Sequence, residues 1–333
     1  MSSPAVSIIL PCFNSAAFLQ ETLDSLSEQT LREWECIAID DGSSDATATI
    51  LRAHAARDPR FSVISRPNRG LIATLNEAIL LAKAPWIARM DADDLAEPER
   101  LAVQLLALSQ HEADVCGTWV RFFGERSGLW QMPLDDASIK LQLLFNVPLA
   151  HPSVMVRASL LRETPYDASA VHAEDYALWC ALAQRGARFI NVPRPLLRYR
   201  CHAAQITQTK RDQLRGTAQR IRTRYAADLL PPNLDVAQFV AFAEPGTQLT
   251  AEQFTTYAWM LLGLAAMYPE GAAVLAEAWI EAWQRTRPAR VTLSVVKRLR
   301  RTLPFAASRR TFFMKQWLKH ALDGHLRRPG GHS

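Results

Sequence analysis

The feature that most constrains this chain is the alternation, from Val6 to Gln110, of short apolar runs with amphipathic stretches. Val6–Leu10 is a β-branched apolar run, and Glu35–Ile39, Phe61–Ile64 and Trp86–Met90 repeat the pattern. Between and after them, Ser15–Gln29, Asp45–Arg57, Leu71–Lys83 and Pro98–Gln110 read as helices. In the third, Ile72, Leu75, Ile79 and Ala82 recur at helical spacing, and the fourth is opened by proline. This rhythm predicts a mainly parallel sheet covered by helices on both faces. Sheets of that kind bind ligands beyond the carboxyl ends of their strands.

Polar clusters fall where the apolar runs stop. Pro11-Cys12-Phe13-Asn14 follows the first, Asp40-Asp41-Gly42-Ser43-Ser44-Asp45 the second and Asp91-Ala92-Asp93-Asp94 the fourth. Three strands would then direct polar loops at one rim. Beyond Val115–Phe123, a further strand candidate, the pattern is less regular. Glu174–Arg185 reads as a helix stopped by Gly186. Arg188–Val192 and Leu196–Arg200 read as two short strands, and the chain beyond Gln205 reads helical with a break at Pro231-Pro232.

Each cluster admits a chemical and a structural explanation. On an extended chain Asp91 and Asp93 project to the same side. Converging carboxylates repel unless a cation lies between them. Hard oxygen ligands select Mg²⁺ or Mn²⁺, and such an ion also holds a diphosphate. The same residues would serve as an acidic turn before a helix. In the second cluster Gly42 permits a positive φ, and Ser44 or Asp45 can cap the next helix. A carboxylate there could instead accept the N3–H of a pyrimidine that stacks on Phe13. In His172–Trp179 the acids Glu174 and Asp175 open a helix. They either complement its N-terminus, an effect of about 0.3–1 kcal/mol, or include a general base, Asp175, kept ionised by that terminus.

Taken in order, SIILPCFN, DDGSSDAT, NRGLIATLN, MDADD, HPSVM, AEDYALW and LRYRCH resemble the family 2 glycosyltransferases of the GT-A fold, over residues 5–210. The resemblance implies an inverting enzyme that uses Mn²⁺ or Mg²⁺ and a nucleotide-diphosphate sugar. Pro11 and Phe13 match its first nucleotide loop; many members have Tyr at the position of Phe13, so the ring is kept and the hydroxyl is lost. Asp41 matches the acid that reads the pyrimidine. Asn68, Gly70 and Asn76 match a segment beside the nucleotide, where Arg69 could reach a phosphate. Asp91 is implied near the ribose and donor sugar, Asp93 as the direct metal ligand and His202 as a residue that completes the metal shell. Asp175 is implied as the general base, with Glu174 and His151 on the acceptor side; Asp94 reads as a structural acid.

The implied organisation is an α/β GT-A catalytic domain over 1–210 and a helical, basic region over 211–333. Residues 285–333 hold 13 Lys/Arg against the single acid Asp323, a balance of +12, so the remainder of the chain carries −7. Within 292–326, Leu293, Val296, Leu299 and Leu303, then Phe313, Trp317, Leu318 and Leu322, form apolar stripes beside basic ones. Basic helices with aromatic anchors suit a membrane surface, and packing on the catalytic domain would equally use them. Nucleic acid is not the expected partner, because no recognised binding motif accompanies the charge.

The five cysteines are scattered with no CxxC pair, which fits a reducing compartment. MSSPAVSIILPCFN has neither a basic n-region nor a long apolar core, and Ala258–Tyr268 is too short for a span. The expectation is therefore a cytoplasmic enzyme, peripheral at the inner face of the membrane if the basic end binds lipid. It would add one sugar or a few to a glycan or lipid-linked acceptor, since the Q-x-x-R-W motif of processive polymerases is missing. A nucleotidyltransferase would share metal-binding acids at strand ends, but the SIILPCFN loop lacks the Gly and basic residues expected there. A non-catalytic protein of the same fold is the remaining alternative. A nicotinamide dehydrogenase is unsupported, as no G-x-G-x-x-G follows the first strand.

Overall fold

The computed structural model describes residues 3–202, 211–286 and 303. The first third of the chain folds as its periodicity predicts, with the two-residue β5 added: β1 (Val6–Cys12), α1 (Leu19–Ser27), β2 (Trp34–Asp40), α2 (Thr47–Ala55), β3 (Phe61–Ser65), α3 (Leu71–Leu81), β4 (Trp86–Arg89), β5 (Leu95–Ala96) and α4 (Arg100–Gln110). There follow β6 (Val115–Gly124), β7 (Gly128–Trp130), α5 (Asp136–Gln142), β8 (Met155–Arg157), α6 (Ala158–Glu163), α7 (Glu174–Gln184) and β9 (Phe189–Cys201). A nine-stranded sheet runs β3-β2-β1-β4-β8-β6-β9-β5, with β7 paired to β6.

β1 pairs in parallel with both β2 and β4, and β2 with β3. The chain therefore leaves β1 in one direction across the sheet and returns on its other side through β4. That reversal opens a crevice at the carboxyl ends of β1 and β4. β8 joins β4 and β6 antiparallel, so the sheet is parallel at one end and mixed beyond β4. Val6, Ile8 and Leu10 of β1 share a buried core with Leu19, Leu23 and Leu26 of α1, Leu51 of α2, and Leu101 and Leu108 of α4. On this rigid support, the loops at the carboxyl rim carry the polar residues.

One expectation needs correcting. Arg188–Val192 and Leu196–Arg200 are not two strands but parts of one, β9, parallel to β6. The pairing slips in register around Trp119, opposite the stretch with Pro193 and Pro195. Proline has no N–H for the ladder, so the strand bulges there and resumes. The sequence shows the break, and the long partner β6 bridges it.

The chain divides into two compact units, Met1–Asp228 and Leu229–Ser333. α8 (Arg211–Leu229) ends at that division. The second unit contains α9 (Val236–Ala243), α10 (Ala251–Met267) and α11 (Ala272–Thr286). Asp235 caps α9, and Thr250 with Gln253 forms a capping box on α10. Phe254 packs against Trp279 and Trp283 in its core. No helix among the described residues is long and apolar enough to cross a membrane. The basic stripes of 292–326 lie, Leu303 apart, outside the described residues. The five cysteines are buried and free.

Candidate active site

The loop after β1 and the loop after β2 are stitched together by short side chains. Asn14, at φ 49°, receives the N–H of Ser44 on Oδ1, while its own N–H goes to Ser43 Oγ at 2.9 Å. The N–H of Ser15 reaches Thr47 Oγ1 and that of Ala16 reaches Asp45 Oδ2. Asp45 thus braces the start of α2 and the neighbouring loop together. Above this scaffold Phe13 is 53% exposed, with its ring available for stacking.

Asp41 is buried and surrounded by donors. The N–H groups of Arg69 and Gly70 reach Oδ1 and Oδ2, each at 2.9 Å. The Arg66 guanidinium, itself almost fully buried, donates to Oδ1 and also to Glu77 at 2.7 Å and Thr74 at 2.9 Å. A carboxylate has about four acceptor positions, so these partners leave Asp41 little more than one. Gly70, at φ 85° and ψ 163°, makes the tight approach possible and starts α3. Asn68 and Arg69 are exposed beside it.

The acidic loop is a turn, not the extended strand end that the alternation argument assumes. β4 ends at Arg89, and the chain then folds over α1. Thr22 Oγ1 donates to the carbonyls of Ala92 and Asp94, at 3.1 and 2.8 Å. The carboxylates of Asp91, Asp93 and Asp94 converge, with one oxygen of each lying within 4.8 Å of the others. Burial raises the Asp91 carboxyl above its ordinary value against the pull of Arg89, and the charges of Asp93 and Glu174 add to the rise. Asp94 is raised well above the carboxylate range by burial and by Asp91 and Asp93. Its Oδ1 accepts the N–H of Arg200 at 2.8 Å, while Oδ2 is buried without a partner. Crowded, desolvated oxygens of this kind suit a divalent cation with hard ligands. His202 comes to the same place: its Nε2 lies 3.0 Å from Asp93 Oδ2, and its ring tilts against Phe18.

Asp175 stands in the first turn of α7, where its Oδ1 accepts the N–H of Tyr176 at 2.7 Å. Burial pushes its carboxyl up to about 6, with Glu174 adding to the rise. The helix N-terminus and Arg89 pull the other way and do not win. The terminus does not hold Asp175 at an ordinary carboxylate value; desolvation brings it near neutrality instead. Behind it, His151 is buried, with Nε2 2.7 Å from the Tyr166 hydroxyl and its ring edge-on to Trp179 of α7. Burial and the charge of Arg89 push His151 well below its ordinary value. Asn76 faces the same network: its amide closes on the backbone N–H and carbonyl of Tyr166, at 2.9 and 3.0 Å.

Sequence reasoning passed over Arg89, Arg66, Thr22 and Arg200. Arg89 is 4% exposed and ion-paired to Asp91. Its charge reaches Asp91, Asp175, Tyr166 and His151, so it is the common cation of both carboxylate groups. A buried arginine two residues before an acidic pair is a legible signal, because an unpaired charge is rarely left in a strand core. Arg100, wholly buried beneath it, braces the Arg89 carbonyl at 2.7 Å, and burial beside that second cation pulls it down to about 10.

The comparisons with known proteins agree with this arrangement. A family model described as glycosyl transferase family 2 matches residues 7–164. An uncharacterized glycosyltransferase of Haemophilus influenzae is 28% identical over 234 residues, 66% of this chain and 72% of that protein. EpsE of Bacillus subtilis, named as a glycosyltransferase, is 32% identical over 205 residues, 60% of this chain and 74% of its own length. The crystal structure of TarS 1–349 from S. aureus in complex with UDP-GlcNAc superposes with a TM-score of 0.58 at 18% identity, covering 90% of this chain and 93% of that one; this likeness is one of fold. The chain belongs to glycosyl transferase family 2. It is a glycosyltransferase with the α/β sheet and flanking helices of the GT-A class.

Proposed function

We propose that the protein transfers a sugar, with inversion, from a UDP- or dTDP-sugar to a hydroxyl of a glycan or lipid-linked acceptor used in a cell-surface polysaccharide or lipopolysaccharide. The observation that carries this reading is the placement of Asp175, a carboxyl raised to about 6 on a helix start, within the field of Arg89, the same buried cation that pairs with Asp91 of the acidic loop.

Donor recognition falls to the loops of β1 and β2. Phe13 offers a stacking face, with Pro11 shaping the loop beneath it. The remaining acceptor position of Asp41 suits a single N–H of a pyrimidine. Asn68 and Gly70 border this cradle, and Arg69, 62% exposed, is free to turn from its loose 3.9 Å contact with Glu77 towards a phosphate. Asn76 supports the site from behind by holding Tyr166. The UDP-GlcNAc bound to TarS supports a uridine donor by likeness of fold.

Asp93 and His202 would hold Mn²⁺ or Mg²⁺, with Asp91 turned by Arg89 towards the ribose and donor sugar. When bound, the ion offsets charge on the diphosphate. Asp175 takes the proton of the acceptor hydroxyl. The acceptor oxygen bonds to the anomeric carbon as the bond from that carbon to the diphosphate breaks, and the nucleoside diphosphate departs on the opposite face. Glu174 and the His151–Tyr166 pair set the acceptor side. Positioning and charge stabilisation account for most of the acceleration.

The experiment is a panel of UDP-, dTDP- and GDP-sugars, assayed for binding and slow hydrolysis with Mn²⁺ and with EDTA. Selection of one pyrimidine-nucleotide sugar, lost in EDTA, is expected. Binding of none by the folded protein would favour a non-catalytic relative.

A further inference from the structure

The carboxyl end of β9 takes part in the acidic loop more closely than any motif suggests. Arg200 is the centre of the contact. Its backbone N–H reaches Asp94 Oδ1 at 2.8 Å, and its Nε reaches the Asp93 carbonyl at 2.8 Å. Its Nη2 bonds Glu21 of α1 at 2.7 Å. The guanidinium lies over the ring of Phe18, 4.4 Å from its centroid, and over that of Phe123 on β6, at 4.5 Å. The side chain is only 12% exposed. Two residues on, His202 meets both Asp93 and Phe18.

A planar cation stacked on two rings, with its donors aimed at two separate groups, the Asp93 carbonyl and Glu21, has almost no rotational freedom. It ties α1, which directly follows the Phe13 loop, to the acidic loop and to the strand that delivers His202. We propose that Arg200 is the positioning residue of the metal site: its guanidinium sets the turn that aims Asp93 and, through β9, brings His202 to that carboxylate. The inference rests on the reading of Asp93 and His202 as metal ligands. Lysine cannot replace Arg200, because an ammonium has neither the plane for stacking nor the fork for two simultaneous directed bonds.

The test is a titration of the full chain with Mn²⁺ alone, following free ion by electron paramagnetic resonance, for wild type, Asp93→Ala, Arg200→Lys, Arg200→Met and Glu21→Gln. Outer partners of metal ligands typically contribute about 10–100-fold in affinity, and Arg200→Lys and Arg200→Met are expected to lose that much. Glu21→Gln, which removes the charge but keeps an acceptor for the guanidinium and does not touch the loop, should lose less. Far-UV circular dichroism and a cooperative thermal unfolding transition should be retained in the Arg200 variants, a result that general unfolding would not give. Wild-type affinity in both Arg200 variants, where Asp93→Ala has lost the ion, would overturn the assignment of Arg200 alone. Failure of the wild type to bind Mn²⁺ would remove the metal reading and this inference with it. If Arg200→Met does not fold, Arg200→Lys and Glu21→Gln still decide the matter.

Discussion

His202 and Asp93 are 109 residues apart in the chain, yet His202 Nε2 lies 3.0 Å from Asp93 Oδ2. The contact joins the end of β9 to the turn after β4, and it places an imidazole nitrogen beside a cluster of carboxylate oxygens. An imidazole nitrogen among carboxylate oxygens suits Mn²⁺ better than the harder Mg²⁺. His202→Ala is expected to weaken metal-dependent nucleotide binding by at least about tenfold, and Asp93→Ala to abolish it. Isothermal titration with UDP, with Mn²⁺ and with EDTA, checks both. Equal affinities with and without Mn²⁺ in the wild type would count against the ligand pair.

The pH dependence follows from Asp175. A base must be ionised, and burial has raised this carboxyl to about 6. Turnover at saturating donor should therefore climb about tenfold per unit below that value and level off above it. Glu174 adds to the rise, so Glu174→Gln should move the limb to lower pH. Arg89 opposes it, so loss of that cation should move the limb to higher pH. Asp175→Asn is expected to lower turnover by about 10²–10⁴-fold with donor affinity retained. A matching loss of donor affinity would refute the assignment of Asp175 as the base.

Much of the fold is legible in the sequence. The period of the apolar runs predicts the four strand–helix repeats, and the rule that ligands sit at strand ends picks out Asp41 and the Asp91–Asp94 turn. Other features escaped because they depend on contacts between distant segments. Nothing local to Asn76 says that its amide closes on Tyr166, or to His151 that it is buried against Trp179. The rise of Asp175 is hidden from the sequence for the same reason. The helix start is visible in the sequence, whereas the desolvation that outweighs it comes from the packing around it. The short strands β5, β7 and β8 carry too few residues to show a period.

The Arg89–Asp91 pair makes a stability prediction with a sign. Arg89 is buried in β4, and Asp91 is its charge partner. Removing Arg89 leaves Asp91, 29% exposed, beside Asp93 without its cation, and partial hydration lowers the cost from that of a fully buried pair to about 1–3 kcal/mol. Arg89→Met should lose stability of that order in urea denaturation, and the double variant Arg89→Met/Asp91→Asn should lose less than the sum of the two single changes. Additive losses would show that the two residues act independently. Because Arg89 also faces Asp175, its replacement should move the pH–rate limb as well, which a purely structural arginine would not do.

Gly42 and Gly70 separate two ways in which a glycine can matter to the donor cradle. Both have positive φ, 77° and 85°. A Cβ on Gly70 would meet nothing within 4 Å, so Gly70→Ala carries only the backbone strain, about 1–3 kcal/mol. A Cβ on Gly42 would lie 2.7 Å from the Asn68 nitrogen and 3.2 Å from the Arg66 carbonyl. Neither neighbour is a flexible side-chain tip, so the DDGS turn and the 66–70 segment would have to move apart. Those are the two segments that enclose Asp41. Gly42→Ala should therefore be the more destabilising change and should weaken nucleotide binding even at temperatures where the variant remains folded, with the pH limb set by Asp175 unmoved. Thermal unfolding and UDP titration on the two alanine variants test this. Equal UDP affinity in both would mean that the spacing between the DDGS turn and the 66–70 segment does not control nucleotide binding.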